Sequence, residues 1–139
     1  MPSYTATDVR VIDGDTFDCV FDLGFDISLK ARVRLRNIDT PECRTKDLEE
    51  KKYGLIAKRK LIELVKGAKT LTVKCEPKRE KFGRVLGELW ADDCNVNQYM
   101  CDNHFAVPYT GQSRDDVAGQ HLANRAKVDA MVAQGPLSN

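Results

Sequence analysis

The sequence lacks the long apolar segments that mark a membrane protein or a secretory precursor. No apolar run approaches the length needed to cross a bilayer. Residues 1–10 do not join a cationic segment to an apolar one, so no secretory signal is predicted. We therefore expect a cytoplasmic protein with no membrane partner, and a mature secreted form stays open as the alternative.

Zinc-binding and disulfide patterns are also absent. The cysteines are odd in number and none forms a C-x-x-C pair, which argues against a zinc site or a disulfide framework. Free thiols in a reducing compartment are the favoured interpretation. The only histidines are His104 and His121, and neither lies in a nucleophile motif with a cysteine. The five cysteines are Cys19, Cys43, Cys75, Cys94 and Cys101.

Net charge is low at +1, whereas a protein that binds its partner through a broad basic surface usually carries more positive charge. Charge is local instead: bases cluster in Lys30–Arg36, Lys51–Lys60 and Lys74–Arg84, and acids in Asp13–Asp26. The balance of 42% hydrophobic and 31% charged residues is typical of a globular protein. A chain of 139 residues has room for one core, so we expect a single domain over 1–139 and, by default, a monomer.

The first forty residues predict three strands. Asp13-Gly14-Asp15 separates two β-prone runs, which indicates a hairpin over about 7–13 and 15–23. A second turn is expected at Leu23-Gly24-Phe25-Asp26. Residues 29–38 alternate between apolar and basic side chains, which is typical of a half-buried strand. Pro41 ends the strand ladder.

The rest of the chain predicts about three helices and two further strands. A helix is expected over 47–66, with Gly67 as its C-terminal cap and an apolar face of Leu48, Leu55, Ile56, Ile62 and Val65. Strands are expected over 70–75 and 84–91. A short helix capped by Asn97 and a last helix over 115–134, ended by Gly135-Pro136, follow. This order predicts a mainly β, α+β fold: a five-stranded OB-fold barrel with about three helices.

Carboxylates lie where the predicted strands end. Asp13 and Asp15 flank the hairpin turn, and Asp39 and Glu42 flank a proline turn. Clusters of oxygen ligands suit a hard cation such as calcium. Each motif also has a structural explanation, because Asp-Gly-Asp is a common turn and Asp-Thr-Pro-Glu is a common helix start.

Arg34 and Arg84 favour phosphate chemistry at this place. A guanidinium matches two phosphate oxygens and stabilises the charge that builds on them during phosphodiester hydrolysis. Each arginine could equally be a solvated surface residue. Arg34 and Asp39 are five positions apart, so the strand end must bend if both are to face one site.

Four blocks of this sequence, in order, resemble the signature of the staphylococcal nuclease (thermonuclease) family. They are Ile12–Thr16, Arg34–Glu42, Lys52–Gly54 and Lys81–Arg84. Val96-Asn97 before a short helix is also similar. The resemblance covers about residues 8–110 and, more loosely, the final helix.

The resemblance implies a role for each matching position. Asp15 and Asp39 would bind calcium with the backbone carbonyl of Thr40, although Mg²⁺ or Mn²⁺ would suit the same oxygens. Glu42 would act on the attacking water, as general base or through a hydrogen bond. The same comparison implies that Arg34 and Arg84 hold the phosphate and stabilise the transition state. Tyr109 would line the nucleotide pocket.

The resemblance also implies an enzyme that cleaves DNA or RNA and leaves 3′-phosphate ends. Three departures stand out: Phe82 replaces a tyrosine, His104 lies where glycine would suit a left-handed cap, and Leu23–Ser28 is acidic rather than lysine-rich.

Two other functions fit parts of the sequence. A catalytically silent binding or scaffold module on the same barrel would be expected to lack acids or arginines of the site, and here all are present. A generic OB-fold binder of single strands would need exposed aromatic platforms, and aromatic residues are only 7% of this chain. An active nuclease is therefore the favoured hypothesis.

Overall fold

The structure is a computed structural model that describes residues 1–134. The strands in chain order are β1 (Ser3–Asp13), β2 (Thr16–Asp22), β3 (Ser28–Leu35), β4 (Ile38–Asp39), β5 (Leu71–Cys75), β6 (Val85–Ala91), β7 (Cys94–Asn95) and β8 (Val107–Pro108). The helices are α1 (Leu48–Gly67), α2 (Val96–Asp102) and α3 (Arg114–Gln134), with one 3₁₀ turn at Lys81–Gly83.

Five of these strands form a closed barrel, as the sequence predicts. The strand order is β3-β2-β1-β5-β6, and parallel pairing of β3 with β6 closes it. The short β7 extends the sheet beyond β6, while β4 and β8 form a separate two-stranded ladder. The OB-fold barrel with three helices is therefore confirmed.

The alternating pattern of β3 decides which side faces the core. Ala31, Val33 and Leu35 are buried inside the barrel, while Lys30 and Arg32 are exposed. Each fully buried leucine or phenylalanine side chain stabilises the fold by roughly 1.5–3 kcal/mol. The largest fully buried side chains include Phe17, Leu35, Leu61, Leu89 and Met100.

The third strand is shorter than predicted. It ends at Leu35, and the chain turns at Arg36-Asn37 before β4 begins at Ile38. Asn37 has a φ of 63°, in the left-handed region that asparagine tolerates better than most residues. This turn is the bend that a shared site for Arg34 and Asp39 requires.

The face that helix α1 presents to the core differs in part from the predicted one. Its buried residues are Tyr53, Gly54, Ala57 and Leu61. Leu48, placed on the apolar face by the sequence, is 77% exposed, and Leu55 is also exposed. Ile56 and Val65 pack against the core as predicted. The prediction is wrong at Leu48 and Leu55, because an apolar count overlooks the close approach that small residues allow.

The ends of α1 are set by its two capping residues. The Asp47 side chain accepts hydrogen bonds from the backbone N–H groups of Glu49 and Glu50 at the N-terminus. The helix continues through Gly67, and Ala68 caps it in an extended conformation. Gly67 is therefore not the left-handed cap that we expected.

Helix α2 also differs from expectation at its start. Asn95, rather than Asn97, is the N-cap and accepts a hydrogen bond from the Gln98 N–H. Asn97 is buried instead: its Oδ1 accepts from Leu89 N at 3.0 Å, and its Nδ2 donates to Arg36 O at 3.0 Å and Gly87 O at 3.2 Å. Asn97 therefore fixes the turn between β3 and β4 to β6.

After α2, His104 adopts a φ of 67°, the left-handed conformation anticipated at this position. The segment between α2 and α3 contains β8, and α3 matches the predicted last helix. The Gly135-Pro136 stop lies outside the described residues. Within residues 1–134, no helix is long and apolar enough to cross a membrane.

The cysteines are free thiols, in agreement with the expectation from their spacing. Desolvation raises the pKa of Cys19 to about 12 and that of Cys101 to about 11. Desolvation followed by a hydrogen bond with Asp13 raises the pKa of Cys43 to about 11. Thiols with pKa values this high carry little thiolate at neutral pH, which argues against a cysteine nucleophile.

Candidate active site

Asp15 is held rigidly at the turn between β1 and β2. Its Oδ1 accepts from the Thr16 hydroxyl at 3.0 Å, and its Oδ2 accepts from the Thr40 backbone N–H at 3.1 Å. The backbone oxygen of Asp15 accepts from Leu35 N at 2.8 Å, which ties this turn to the end of β3. The residue is buried, so its carboxylate is fixed at the inner end of the site.

Arg34 joins Asp15 to Asp39. Its Nη1 donates to the backbone oxygens of Leu35 at 2.9 Å and Ile38 at 3.0 Å, and these two hydrogen bonds fix the orientation of the guanidinium. The same Nη1 lies 3.3 Å from Asp15 Oδ2, and Nη2 lies 3.4 Å from Asp39 Oδ1. The turn at Arg36-Asn37 thus brings Asp39 to Arg34, which also pairs with Asp15.

Glu42 lines the same cleft as Arg34 and Asp39, just past the proline turn. Its backbone N–H donates to Glu50 Oε2 at 3.1 Å. Partial desolvation, followed by repulsion from Asp13, Asp15, Asp39 and Glu50, raises the pKa of the Glu42 carboxyl. A carboxylate whose pKa is raised is a stronger base than an ordinary glutamate.

Helix α1 supports Glu42 through a glycine. A Cβ on Gly54 would collide with the carbonyl group of Glu42 and lie 2.7 Å from Cys43 N. Only a residue without a side chain allows α1 to pack so closely against this backbone. Gly54 therefore supports the site through packing, without contributing a chemical group.

Replacing Gly54 with alanine is expected to destabilise the protein by about 1–3 kcal/mol and to displace Glu42, because backbone must move to make room. Urea unfolding followed by Trp90 fluorescence measures the first effect. Gly67→Ala is the matched control in the same helix, since a Cβ there meets nothing within 4 Å. Equal stability of the two variants would contradict the packing argument.

A cleft of about 860 Å³ opens in front of these residues. Arg34, Asp39, Thr40 and Glu42 line one side, and residues of α3 line the other. The α3 residues were missed by the site prediction, although the predicted helix places them at i+3, i+4 and i+7 spacing on one face. They are Arg114, Val117, Ala118, His121, Leu122 and Arg125.

Thr40 and Tyr109 both lie where the sequence places them, at this cleft. Thr40 is buried, and its Oγ1 has no hydrogen-bond partner among the described residues. The Tyr109 backbone N–H donates to Asn37 O at 2.8 Å, so the tyrosine is fixed to the same turn as Asp39. Its ring is 44% exposed and free to contact a ligand.

Arg84 is not brought into contact with the carboxylates. It precedes β6, and its guanidinium lies 5.9 Å from the centre of the Phe82 ring, which is 90% exposed. Its Nε is buried without a hydrogen-bond partner in the described part of the chain. The parallel register of Val33 with Val85 and of Arg34 with Leu86 puts Arg84 just before the strand that neighbours β3, and Arg84 does not line the cleft.

The donor chemistry of the site fits a hard cation. Asp15 and Asp39 converge on Arg34, and Glu42 adds a further negative charge nearby. Within residues 1–134, no three Asp, Glu, His or Cys side chains form a cluster suited to holding a metal. A cation here would therefore need the two carboxylates together with backbone and water oxygens, which calcium accepts readily.

The fold and this cleft define a class: an OB-fold barrel that carries paired aspartates and an arginine beside a glutamate. The family model of the staphylococcal nuclease homologues matches residues 32–133, and the chain belongs to this family.

Two relatives from Escherichia coli are similar to most of the chain. It is 37% identical over 110 residues to an "Uncharacterized endonuclease" of Escherichia coli, and equally to one of strain O157:H7. The matched region is 78% of this chain and 63% of each relative, so the chain spans less than two thirds of their length.

Proposed function

We propose that this protein is a divalent-cation-dependent nuclease that hydrolyses phosphodiester bonds of DNA or RNA. Arg34 pairs with both Asp15 and Asp39, and Arg34, Asp39 and Glu42 line one cleft; this arrangement carries the proposal. Membership of the staphylococcal nuclease homologue family supports it, as does the printed name of the two endonuclease relatives. Calcium is the proposed cation, with 3′-phosphate ends on the product.

Asp15 and Asp39 would hold the cation, together with the backbone carbonyl of Thr40. When bound, the cation supplies Lewis-acid chemistry by withdrawing negative charge from a phosphate oxygen. The hydrogen bonds from Thr16 and Thr40 to Asp15 keep one carboxylate in place before any ligand arrives. A site fixed in advance loses less entropy and reorganisation energy when substrate binds.

Glu42 would take a proton from the water that attacks phosphorus. The water oxygen forms a bond to phosphorus, the bond to the 5′-oxygen breaks and this oxygen takes up a proton from solvent, and the phosphate stays on the 3′-oxygen. The raised pKa of Glu42 suits this work, since it makes the carboxylate a better proton acceptor than an ordinary glutamate.

Arg34 would bind the nonbridging phosphate oxygens, which gain negative charge as water adds. Backbone oxygens already orient its guanidinium, so the contact strengthens in the transition state without a conformational cost. We assign Arg84 to the same phosphate from the neighbouring strand. Tyr109 would contact the sugar or base of the bound nucleotide at the open end of the cleft.

A catalytically silent nucleic-acid-binding module is the second candidate. One observation favours it: Arg84 contacts the Phe82 ring rather than the cleft, so one of the two expected arginines lies apart from the carboxylates. A silent module would bind a single strand as tightly with chelator as with cation, and would not cut it.

Removal of the cation is expected to abolish cleavage. Single-stranded DNA and RNA are incubated with the protein in calcium, magnesium, manganese or excess chelator, and products are resolved by gel. Because the cation would offset negative charge among the acids and on phosphate, activity should fall by at least about a hundredfold in chelator and return when calcium is restored. Cleavage unaffected by chelator, or binding without cleavage in every cation, would contradict the proposal.

The chemistry of the product ends tests the direction of cleavage. Fragments that carry a 3′-phosphate cannot prime a polymerase until a phosphatase has removed it. We expect extension only after phosphatase treatment, and extension without it would show that the 3′-oxygen is the leaving group.

A further inference from the structure

Asp39 has one short polar contact from a distant part of the chain. His121 of α3 places its Nε2 at 2.7 Å from Asp39 Oδ2, and its side chain is only 14% exposed. Asp39 Oδ1 faces Arg34 Nη2 at 3.4 Å, close to the outer limit of a hydrogen bond. His121 therefore makes the tighter of the two contacts that orient this carboxylate.

The two carboxylates are supported in different ways. Asp15 is fixed by the Thr16 hydroxyl and the Thr40 backbone N–H, both close to it in the barrel. Asp39 lies on the two-residue strand β4 and is more exposed than Asp15, so its side chain has more freedom. The imidazole of His121 orients Asp39 in the way that Thr16 and Thr40 orient Asp15.

Helix α3 does not need His121 to stay attached. The Tyr53 hydroxyl bonds both carboxylate oxygens of Asp129, at 2.8 and 2.9 Å, and joins α3 to α1. Asn124 donates to Ala106 O at 3.3 Å, and Val128 is buried. Because these contacts hold α3 in place, the hydrogen bond between His121 and Asp39 affects the orientation of Asp39 rather than the docking of the helix.

We propose that His121 is a positioning residue that orients Asp39 for cation binding. The inference rests on the proposed function, because it assumes that Asp15 and Asp39 hold the cation. Nε2–H donates to Oδ2 and so leaves Oδ1 turned toward Arg34 and the side of the site where Asp15 lies. Groups that orient a ligating carboxylate in this way typically change metal affinity by about 10–100-fold when removed.

Calcium affinity measured without substrate tests the proposal. Each variant is melted over a series of calcium concentrations, and the rise of its own melting temperature gives the dissociation constant. His121→Leu, which keeps bulk but removes the donor, is expected to weaken calcium binding at least about tenfold. His121→Gln, whose amide can donate to the same oxygen, is expected to recover most of this loss.

Tyr53→Phe is the matched control, because it loosens α3 through Asp129 without touching Asp39. It should lower the melting temperature without cation and leave the calcium dissociation constant within about twofold of the parent's. Equal affinity in the parent and His121→Leu would overturn the positioning role alone. A loss in Tyr53→Phe as large as in His121→Leu would also overturn it, because His121 would then act only by docking α3. A parent that binds no calcium would overturn both this inference and the proposed cation.

Discussion

Replacing Arg34 with alanine is expected to lower kcat by at least about a hundredfold, corresponding to about 3 kcal/mol of transition-state stabilisation. The guanidinium is held by two backbone oxygens and faces both carboxylates, so water cannot replace it in the same geometry. Arg34→Lys keeps the charge and loses the planar fork, and we expect it to recover only a small part of the activity. Single-turnover cleavage of a labelled oligonucleotide measures both effects.

Arg32→Ala is the control for this experiment. Arg32 lies two residues earlier on β3 and is exposed, with a paired contact to Asp18 at 2.7 and 3.0 Å outside the cleft. Exposed ion pairs contribute only about 0–1 kcal/mol, so this variant should remain folded and active within a few-fold. A similar loss of activity in the Arg32 and Arg34 variants would mean that general positive charge, rather than the fixed guanidinium, is responsible.

Glu42→Gln is expected to lower kcat by about 10²–10⁴-fold, because the amide cannot accept a proton from water. Substrate affinity should change far less, since Glu42 is assigned no contact with the phosphate. The rate under single-turnover conditions and a separate binding measurement distinguish the two quantities. Glu49→Gln is a suitable control, because Glu49 is exposed in the first turn of α1 and does not line the cleft.

The same variant should be slightly more stable than the parent at neutral pH when chelator is present. The folded-state pKa of Glu42 is raised, so the native state binds this proton more tightly than the unfolded chain does. Ionised Glu42 therefore destabilises the native state above its folded pKa. This gain from Gln should shrink as pH falls toward the unfolded pKa of about 4.3, and solvent screening keeps it small because Glu42 is exposed. A less stable variant at neutral pH would contradict the raised pKa.

The barrel could be predicted because its signals are local. The Asp13-Gly14-Asp15 turn and the alternation of β3 each operate within a few residues of the chain. The need for a bend between Arg34 and Asp39 also followed from the spacing alone. Its position at Asn37 did not, because a single residue in the left-handed region leaves no pattern in a sequence.

Features that depend on distant contacts were missed. The buried face of α1 includes Gly54, which lies against the backbone of Glu42 and Cys43, and Ala57, which lies against Gly14, whereas the apolar count favoured Leu48 and Leu55. Asn97 was expected to cap a helix and instead bonds to backbone groups of three residues. Such contacts form only after the strands have assembled, so no local spacing encodes them.

The cleft was predicted in part for the same reason. Asp15, Arg34, Asp39 and Glu42 lie in blocks whose spacing the sequence displays, and these residues do converge. His121 is 82 positions from Asp39, and only the docking of α3 brings the two together. Arg84 is the opposite case: the sequence block that contains it matches the family, but its side chain lies beside Phe82 and away from the carboxylates.

A crystal structure with calcium and a nucleotide 3′,5′-bisphosphate tests the central claim most directly. We expect one calcium ion bound at about 2.3–2.6 Å by oxygens of Asp15, Asp39 and the Thr40 carbonyl. A phosphate of the nucleotide should contact both the ion and the Arg34 guanidinium. A calcium ion bound elsewhere, or a phosphate bound away from Arg34, would contradict the account.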